Sequence, residues 1–230
     1  MEQTISNAHT VAATLGTDYL FTLGSLNIGI VETFLFIASA IFGIVAYRFY
    51  FKDIVNSVIR PNRWSWLIFC IATLLEILTY NEVSGDLVKS SLFFISAICT
   101  FIIAAFLWSR STWKRPDWTE FVCFSASVIS LILWLGFHET LWAHIMLVVA
   151  IPISFIPIYR DSWNDWRCED TIAWQMWTYG DLLAVFLVLI RLDKFEELPF
   201  VIVEFLSHAT VWILVSHGKK IPGKKININT

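Results

Sequence analysis

Seven long apolar segments separated by short polar stretches constrain this chain more than any other feature of its sequence. They cover residues 27–47, 64–80, 88–108, 118–137, 141–159, 171–190 and 199–216. Each has about the 17–25 residues that an α-helix needs to cross a bilayer. Only 15% of the chain is charged, and backbone groups in lipid must be satisfied within the segment, which favours helices. The sequence therefore predicts an all-α, polytopic membrane protein with seven transmembrane helices.

Basic residues are concentrated on one side of the predicted bundle. That side carries thirteen Lys and Arg residues, whereas the other side carries Lys89, Arg191 and Lys194. Because cytoplasmic loops are enriched in Lys and Arg, we expect a multi-pass protein of the cell (inner) membrane with its N-terminus outside. We expect residues 1–26 to be an extracytoplasmic segment, without the basic start of a signal peptide, and residues 217–230 to be a basic cytoplasmic tail.

Two polar segments on the basic side resemble each other, namely "KDIVNSVIRPNRWSW" (52–66) and "RDSWNDWRCEDTIAW" (160–174). Their alignment at an offset of 108 residues matches an Asp, an Asn and a Trp: Asp53 with Asp161, Asn56 with Asn164 and Trp66 with Trp174. Four spans separate the copies, so both helix pairs run in the same direction, as in parallel transporter repeats. We interpret 27–108 and 141–216 as two three-helix units, joined by a linker helix within 109–140.

Ionisable side chains inside apolar spans indicate function, because placing them in lipid is costly. Glu76 lies in the outer half of the second span, and Asp181 lies halfway along the sixth, directly after Gly180. Glu204 and His208 are four residues apart in the seventh span, so they share a helix face and lie close enough to form a hydrogen bond. This pair could serve a proton-linked switch or a substrate contact, or it could hold the seventh helix in the bundle.

Aromatic and proline residues add two further candidate features. Trp174 and Trp177 open the sixth span among polar residues, and aromatic walls with a few polar groups suit a sugar, a nucleoside or another flat polar ligand. An interfacial aromatic belt explains Trp174 equally well, and Trp177 less well. Pro152 and Pro157 interrupt the fifth span, where they produce either a static kink or a hinge. His144 opens the same span, and an interfacial position is expected for it.

Several functional classes find no support in the sequence. The seventh span has no Lys that could form a retinal Schiff base, and no motif for phosphate binding, a zinc site or a nucleophilic triad occurs. The four cysteines lack the spacing of a metal site. We expect no enzyme activity, no cofactor, no metal and no nucleic-acid partner.

The segments 151–186 and 44–78 resemble the PQ-loop and SWEET transporter group, whose members have seven helices in two three-helix units with an outside N-terminus. "RPNRWSWLIF" and "EDTIAWQMW" also resemble certain uncharacterised bacterial membrane proteins, and nicotinamide riboside transporters are a further candidate relative. The chain departs from the group, since it has no Pro-Gln dipeptide and no proline in its first span.

This resemblance implies a carrier that moves a small polar solute, such as a sugar or a nucleoside-like vitamin precursor, as a facilitator or linked to protons. Five residues are candidates for the binding cavity: Glu76, Trp177, Asp181, Glu204 and His208. Six residues are candidates for the hinge and the cytoplasmic gate: Pro152, Pro157, Asp53, Asn56, Asp161 and Asn164. A non-transporting interaction or sensory module is the first alternative, and a proton-conducting or redox protein that uses Glu204 and His208 is the second. Besides the lipid bilayer and the solute, a second copy of the chain is a conceivable partner.

Overall fold

The computed structural model describes residues 19–23, 26–110, 115–137 and 140–219. Within these residues lie seven segments long and apolar enough to cross a membrane, which confirms the predicted all-α, seven-span fold. The helices are α1 (Ile30–Val55), α2 (Arg63–Ser84), α3 (Leu87–Arg110), α4 (Trp118–Phe137), α5 (Thr140–Ser154), α6 (Ile156–Asn164), α7 (Thr171–Ile190) and α8 (Leu198–Lys219). Helices α5 and α6 together form the fifth span.

A two-stranded antiparallel hairpin precedes α1, with β1 at Tyr19–Leu23 and β2 at Leu26–Gly29. The sequence predicted no strand there, and residues 1–18 of the expected N-terminal segment lie outside the described residues. Glu32 caps α1, since its carboxylate accepts a hydrogen bond from the Gly29 N–H at 2.8 Å. This cap makes the helix begin at Ile30, after the predicted start of the span.

The outer faces of the helices are apolar, as contact with lipid requires. On α1 the residues Ile30, Phe34, Ile37, Ile41 and Ile44 are all exposed. Their spacing of three or four residues places them on one face of the helix. The opposite face of α1 packs against α3 and α7, so this helix separates the bilayer from the centre of the bundle.

Helix boundaries recur at the offset of 108 residues that relates the two polar segments. Helix α2 begins at Arg63 and α7 at Thr171, and each is capped by the preceding residue, Asn62 or Asp170. The third span runs over Leu87–Arg110 and the seventh over Phe195–Gly218. The helices also pack in matching pairs, because α1 contacts α7 while α2 contacts α5. Helix α4 packs against α2 and α5.

Residues at this offset also contact each other directly at both ends of the bundle. At the end formed by residues 56–62 and 165–170, which we call the hinge end, the Arg60 N–H donates a hydrogen bond to the Cys168 carbonyl at 3.1 Å. At the other end, which we call the lysine end and which contains residues 84–86 and 191–197, Lys89 binds Glu197 at 2.6 Å. Equivalent residues can touch only next to the axis that relates them. A pseudo-two-fold axis through both contacts runs along the bundle, as a parallel repeat requires.

The fifth span bends between its two prolines. Pro152 lies inside α5 and Pro157 lies in the first turn of α6. Phe155 separates the two helices, yet its N–H still donates to the Ile151 carbonyl at 3.3 Å, and its own carbonyl accepts from the Tyr159 N–H at 2.8 Å. The helical path therefore continues through the bend, and Phe155 lies on its buried side.

Candidate functional site

The centre of the bundle holds two adjoining cavities, enclosed by α1, α2, α3, α5, α7 and α8. They share five lining residues: Tyr47, Ser96, Trp177, Glu204 and His208. Glu76 lines the first cavity and Asp181 lines the second. The structure therefore brings together all five residues that the sequence offered as candidates for a binding cavity.

A hydrogen bond between His208 Nδ1 and Asp181 Oδ2 joins α8 to α7 beside the cavities. The sequence placed Glu204 within hydrogen-bond distance of His208. That pairing was wrong, because the neighbouring helix presents the Asp181 carboxylate to the imidazole instead. The His208 ring also stacks on Trp177, with ring centroids 5.8 Å apart and an interplanar angle of 25°. Glu204 remains within electrostatic range of both Asp181 and His208.

Two buried polar groups at the cavities have hydrogen-bonding capacity that the described residues do not use. Glu76 is 1% exposed, and its Oε1 has no partner among these residues. Trp177 is 5% exposed, and its indole N–H has no partner among them either. An unsatisfied buried polar group costs about 1–3 kcal/mol. An acceptor and a donor in the same enclosed space are therefore both available to a ligand or to water.

Aromatic rings form the walls of the cavities. Tyr47 packs edge-on against Trp177 with a centroid distance of 4.9 Å, and Phe155 packs against Phe69 at 4.7 Å. These two ring pairs are related by the offset of 108 residues, since Tyr47 corresponds to Phe155 and Phe69 to Trp177. The Tyr47 hydroxyl is hydrogen-bonded to Ser96 at 2.7 Å, and this bond fixes the ring against the cavity.

The same offset relates most of the cavity lining to itself. Seven further lining residues of the first unit have a lining residue at the equivalent position of the second: Gly43 with Ile151, Trp66 with Trp174, Ala72 with Gly180, Thr73 with Asp181, Glu76 with Ala184, Ser96 with Glu204 and Thr100 with His208. The pseudo-two-fold axis therefore passes through the cavities. Extending the alignment of the two polar segments without a gap would have found these pairs from the sequence.

A buried hydrogen-bond network closes the cavities at the hinge end. Glu169 Oε2 accepts from the Tyr50 hydroxyl at 2.6 Å and from the Trp174 indole N–H at 2.9 Å. The Trp66 indole N–H donates in turn to the Tyr50 hydroxyl at 3.1 Å. Burial raises the pKa of the Glu169 carboxyl to about 7, although the two hydrogen bonds that it accepts act in the opposite direction. Sequence reasoning missed Glu169 because it lies outside every apolar span.

Trp174 has a different environment from the interfacial belt that the sequence left open for it. It is only 1% exposed, and its ring lies 5.3 Å from that of His208. His144, expected at the interface, is also 1% exposed, and it packs between Tyr80 and Phe200 with centroid distances of 5.9 and 6.2 Å. Both expectations were wrong, because the side chains turn towards the bundle axis.

An ion-pair network closes the bundle at the lysine end. Lys89 Nζ binds Glu197 Oε2 at 2.6 Å, with both side chains fully buried. Arg191 binds Asp86 at 2.6 Å and Glu32 at 2.9 Å, which connects α1 and the α2–α3 loop to the loop before α8. The sequence used the basic residues here only as markers of orientation, so their role as contacts between helices was missed.

The two Asp-x-x-Asn segments lie at corresponding helix ends of the hinge end. Asn56 follows the last residue of α1 and Asn164 is the last residue of α6, and both side chains are exposed. The Asp53 carbonyl accepts the Val58 N–H at 2.9 Å, while Asp161 forms an ion pair with the adjacent Arg160. Among the described residues these four side chains do not bind one another, and the contact between the loops is instead made by the Arg60 and Cys168 backbones.

The space inside the closed bundle is small. The centres of water molecules can occupy about 30 Å³ in the first cavity and about 60 Å³ in the second. One buried water needs roughly 10–15 Å³ by this measure. The cavities can thus hold a few waters, and a solute as large as a sugar would require them to widen.

No protein-family model, curated protein or solved structure matches the chain. In the described part of the chain no group of three or more His, Cys, Asp or Glu side chains is arranged to hold a metal ion.

Proposed function

We propose that the protein is a membrane carrier that moves a small polar solute through the central cavities by alternately opening the hinge end and the lysine end. The observation that carries this proposal is the enclosed polar space around Glu76 and Trp177, with hydrogen-bonding groups that no described residue satisfies. A helix bundle needed only for mechanical support would gain stability from a dry, fully packed core.

The pseudo-two-fold axis supports the division into two three-helix units. Carriers built from parallel repeats bind their solute near the interface between the repeats. Here the axis passes between Lys89 and Glu197 at one end and between Arg60 and Cys168 at the other, and the cavities lie between these two contacts. A rotation of one unit against the other about a fixed site would widen one end while it narrows the other.

The different chemistry of the two closed ends also supports alternating access. Ion pairs close the lysine end, whereas hydrogen-bonded aromatic residues close the hinge end. Each end can therefore be loosened without a direct change at the other. By the distribution of basic residues, the hinge end faces the cytoplasm.

A test of this function needs no knowledge of the solute, because it follows access to the cavity. Ser96→Cys, in a background without the four native cysteines, places a thiol on a residue that lines both cavities. A membrane-impermeant thiol reagent is applied to one face of sealed vesicles of either orientation. We expect the thiol to react from both faces, and each face to respond to the state of the opposite end.

Two variants loosen one end each. Arg191→Gln removes ion pairs with Asp86 and Glu32, so it should raise labelling from the lysine end and lower it from the hinge end. Tyr50→Phe removes the hydroxyl that binds Glu169 and should have the opposite effect. Ser109→Cys, an exposed position on α3 at the hinge end, reports sidedness and should react from that face alone.

The pattern of labelling separates this carrier from the alternatives. A thiol at position 96 that stays unreactive from both faces would contradict transport and favour a non-transporting interaction module. Labelling that rises from both faces in either variant would indicate a continuous pore, which includes a proton-conducting path, and would also contradict a carrier.

A further inference from the structure

The cavities contain an excess of acidic groups. Glu76, Asp181 and Glu204 come from α2, α7 and α8, and among the described residues that line the cavities there is no Lys and no Arg. His208 is the only lining side chain of this set that can carry a positive charge, and it is already bound to Asp181. In the described part of the chain neither Glu76 nor Glu204 has an ion-pair partner.

Burial makes this imbalance costly. An isolated ionised carboxylate in an apolar environment is strongly unfavourable, so it must be neutralised by a proton or by a positive charge. The cation must reach the cavity from outside the protein, because the nearest buried cation, Lys89, is bound to Glu197 at the lysine end. Glu76 in particular keeps an acceptor atom without a partner at a position that is 1% exposed.

The aromatic walls suit an organic cation. The rings of Trp174 and Trp177 lie 4.9 Å apart by their centroids, and Tyr47 lies 4.9 Å from Trp177 on the other side. Clusters of Trp and Tyr faces bind quaternary ammonium and similar cations through cation–π attraction. The Trp177 indole N–H, which has no partner among the described residues, can donate to a hydroxyl or carbonyl of the same solute.

A metal cation fits these walls less well. Metal ions need several oxygen or nitrogen ligands on one centre, and no three carboxylate, imidazole or thiol groups of the described residues are arranged in this way. The carboxylates are instead spread around rings that offer π-faces. The lining therefore favours a cation that is large and weakly hydrated.

We propose that the solute is a small organic cation, of the quaternary ammonium or pyridinium type, and that it binds in exchange for a proton held by Glu76 or Glu204. In the closed bundle the carboxyl groups carry protons. When a cation binds between the aromatic rings, one carboxyl releases its proton to water and the charge inside the bundle stays constant. This proposal rests on the proposed carrier function and identifies the chemical class of its solute.

Other titratable groups surround the two carboxyls and take part in the exchange. Asp181 and Glu204 act electrostatically on Glu76, and Tyr80 lies one turn further along α2 and feels the Glu76 charge. Asp181 and His208 act on Glu204. Tyr47 lies near Glu204 and Cys99. Among them the Glu76 and Glu204 carboxyls lack a cationic partner, so these two are assigned the exchangeable proton.

The test compares cations with neutral molecules of the same shape in purified protein. Choline is matched with 3,3-dimethylbutan-1-ol and 1-methylpyridinium with 1-methyl-2-pyridone, and sodium chloride at the same ionic strength serves as the metal-ion probe. Titration calorimetry in buffers with different ionisation enthalpies measures both the affinity and the number of protons released. We expect each cation to bind at least about tenfold more tightly than its neutral match and to release about one proton.

The pH dependence follows from this stoichiometry. When one proton leaves for each cation bound, the dissociation constant falls about tenfold for each unit by which the pH rises. Glu76→Gln and Glu204→Gln, which keep the shape of the side chain, should each weaken binding, and one of them should abolish proton release. Glu196→Gln, which changes an exposed carboxylate outside the cavities, is the matched control and should bind as the wild type does.

Trp177→Phe keeps the test decisive if a carboxyl variant does not fold. It should weaken the binding of both cations about tenfold while the proton release stays at one. Equal affinity for neutral and cationic probes, binding without proton release, or no binding of either cation would overturn the proposal. The carrier function stands or falls separately, because a carrier of neutral solutes would still show reciprocal labelling at position 96.

Discussion

The two three-helix units place different chemistry at equivalent positions of one cavity. The first unit supplies hydroxyl groups at Thr73, Ser96 and Thr100, where the second unit supplies Asp181, Glu204 and His208. Only Glu76 reverses this arrangement, because Ala184 stands at its equivalent. The backbone thus has approximate two-fold symmetry, while the side chains have a polar neutral wall facing an ionisable wall.

A similar difference occurs on the axis itself. At the lysine end the equivalent positions carry opposite charges, Lys89 and Glu197, which bind each other. Two copies of either residue would place like charges side by side in a buried space, at a cost that increases as the effective dielectric constant falls. Positions on a two-fold axis can thus form an ion pair only after the two units have diverged.

The largest effect is expected at this axial pair. Lys89→Met should lower the free energy of unfolding by about 3–5 kcal/mol, because it leaves the fully buried Glu197 carboxylate without its cation. For a chain of this size that corresponds to roughly a 10 °C fall in melting temperature. Thermal unfolding in detergent measures the change.

The exchanged pair is the control for symmetry. Because the two positions are equivalent about the axis, Lys89→Glu combined with Glu197→Lys should recover most of the lost stability. A double variant that melts as low as Lys89→Met would show that the environments of the two positions are not interchangeable. Asp86, which lies 3.9 Å from Lys89, sets a limit on the recovery, since it would face the carboxylate that the exchange introduces at position 89.

An intermediate effect is expected at the hinge end, where Glu169 has no counterpart in the first unit because Pro61 stands at the equivalent position. Its pKa is raised from 4.5 to about 7, so between these values the folded protein holds a proton that the unfolded chain releases. The free energy of unfolding therefore decreases as the pH rises through this window, by on the order of 2–3 kcal/mol. Melting temperatures measured between about pH 5 and pH 8 should show this decrease.

Glu169→Gln removes the titrating group and keeps its shape, so its melting temperature should depend less on pH than that of the wild type. The neighbouring Asp161, Asp170 and Cys168 remain in the variant, and their contribution cancels in the comparison. Glu196→Gln again serves as the control. A variant with the same slope as the wild type would mean that Glu169 stays ionised throughout.

The smallest effect is expected where the two units carry equivalent exposed cations. Arg160 of the second unit, which corresponds to Lys52 of the first, binds Asp117 at 2.7 Å with about half of its side chain exposed. Exposed ion pairs contribute about 0–1 kcal/mol. Arg160→Gln should therefore shift the melting temperature by no more than roughly 2 °C, and a fall as large as that of Lys89→Met would show that this surface is covered.

Much of the fold was predictable because lipid imposes a strong and local constraint. The fourth and sixth spans match α4 and α7 at both ends, since their limits are set by capping residues and by a change in polarity. The first span extends to Val55, beyond its predicted end at 47. The error has a physical cause, because Arg48 and Lys52 lie within the last turns of a helix that projects past the apolar layer.

The candidate site was predictable in its membership and not in its bonds. Ionisable residues inside the spans pointed to Glu76, Asp181, Glu204 and His208, because burial in lipid makes such residues rare. Which of them pair depends on how helices rotate against one another, and helix spacing alone favoured Glu204 as the partner of His208 over Asp181. Lys89, Glu197 and Glu169 lie at or beyond the ends of the apolar spans, where a charged side chain gives no such signal.

The close contact between α1 and α7 has a consequence for how the chain is made. A Cβ atom on Gly180 would lie 3.3 Å from the Ser39 carbonyl oxygen, and the Ser39 hydroxyl donates to the Gly180 carbonyl at 2.9 Å. Helix α1 is therefore completed by a helix that leaves the ribosome after four further spans have been synthesised. Until then Ser39 faces lipid or the insertion machinery, so assembly of the first unit has to wait for the second.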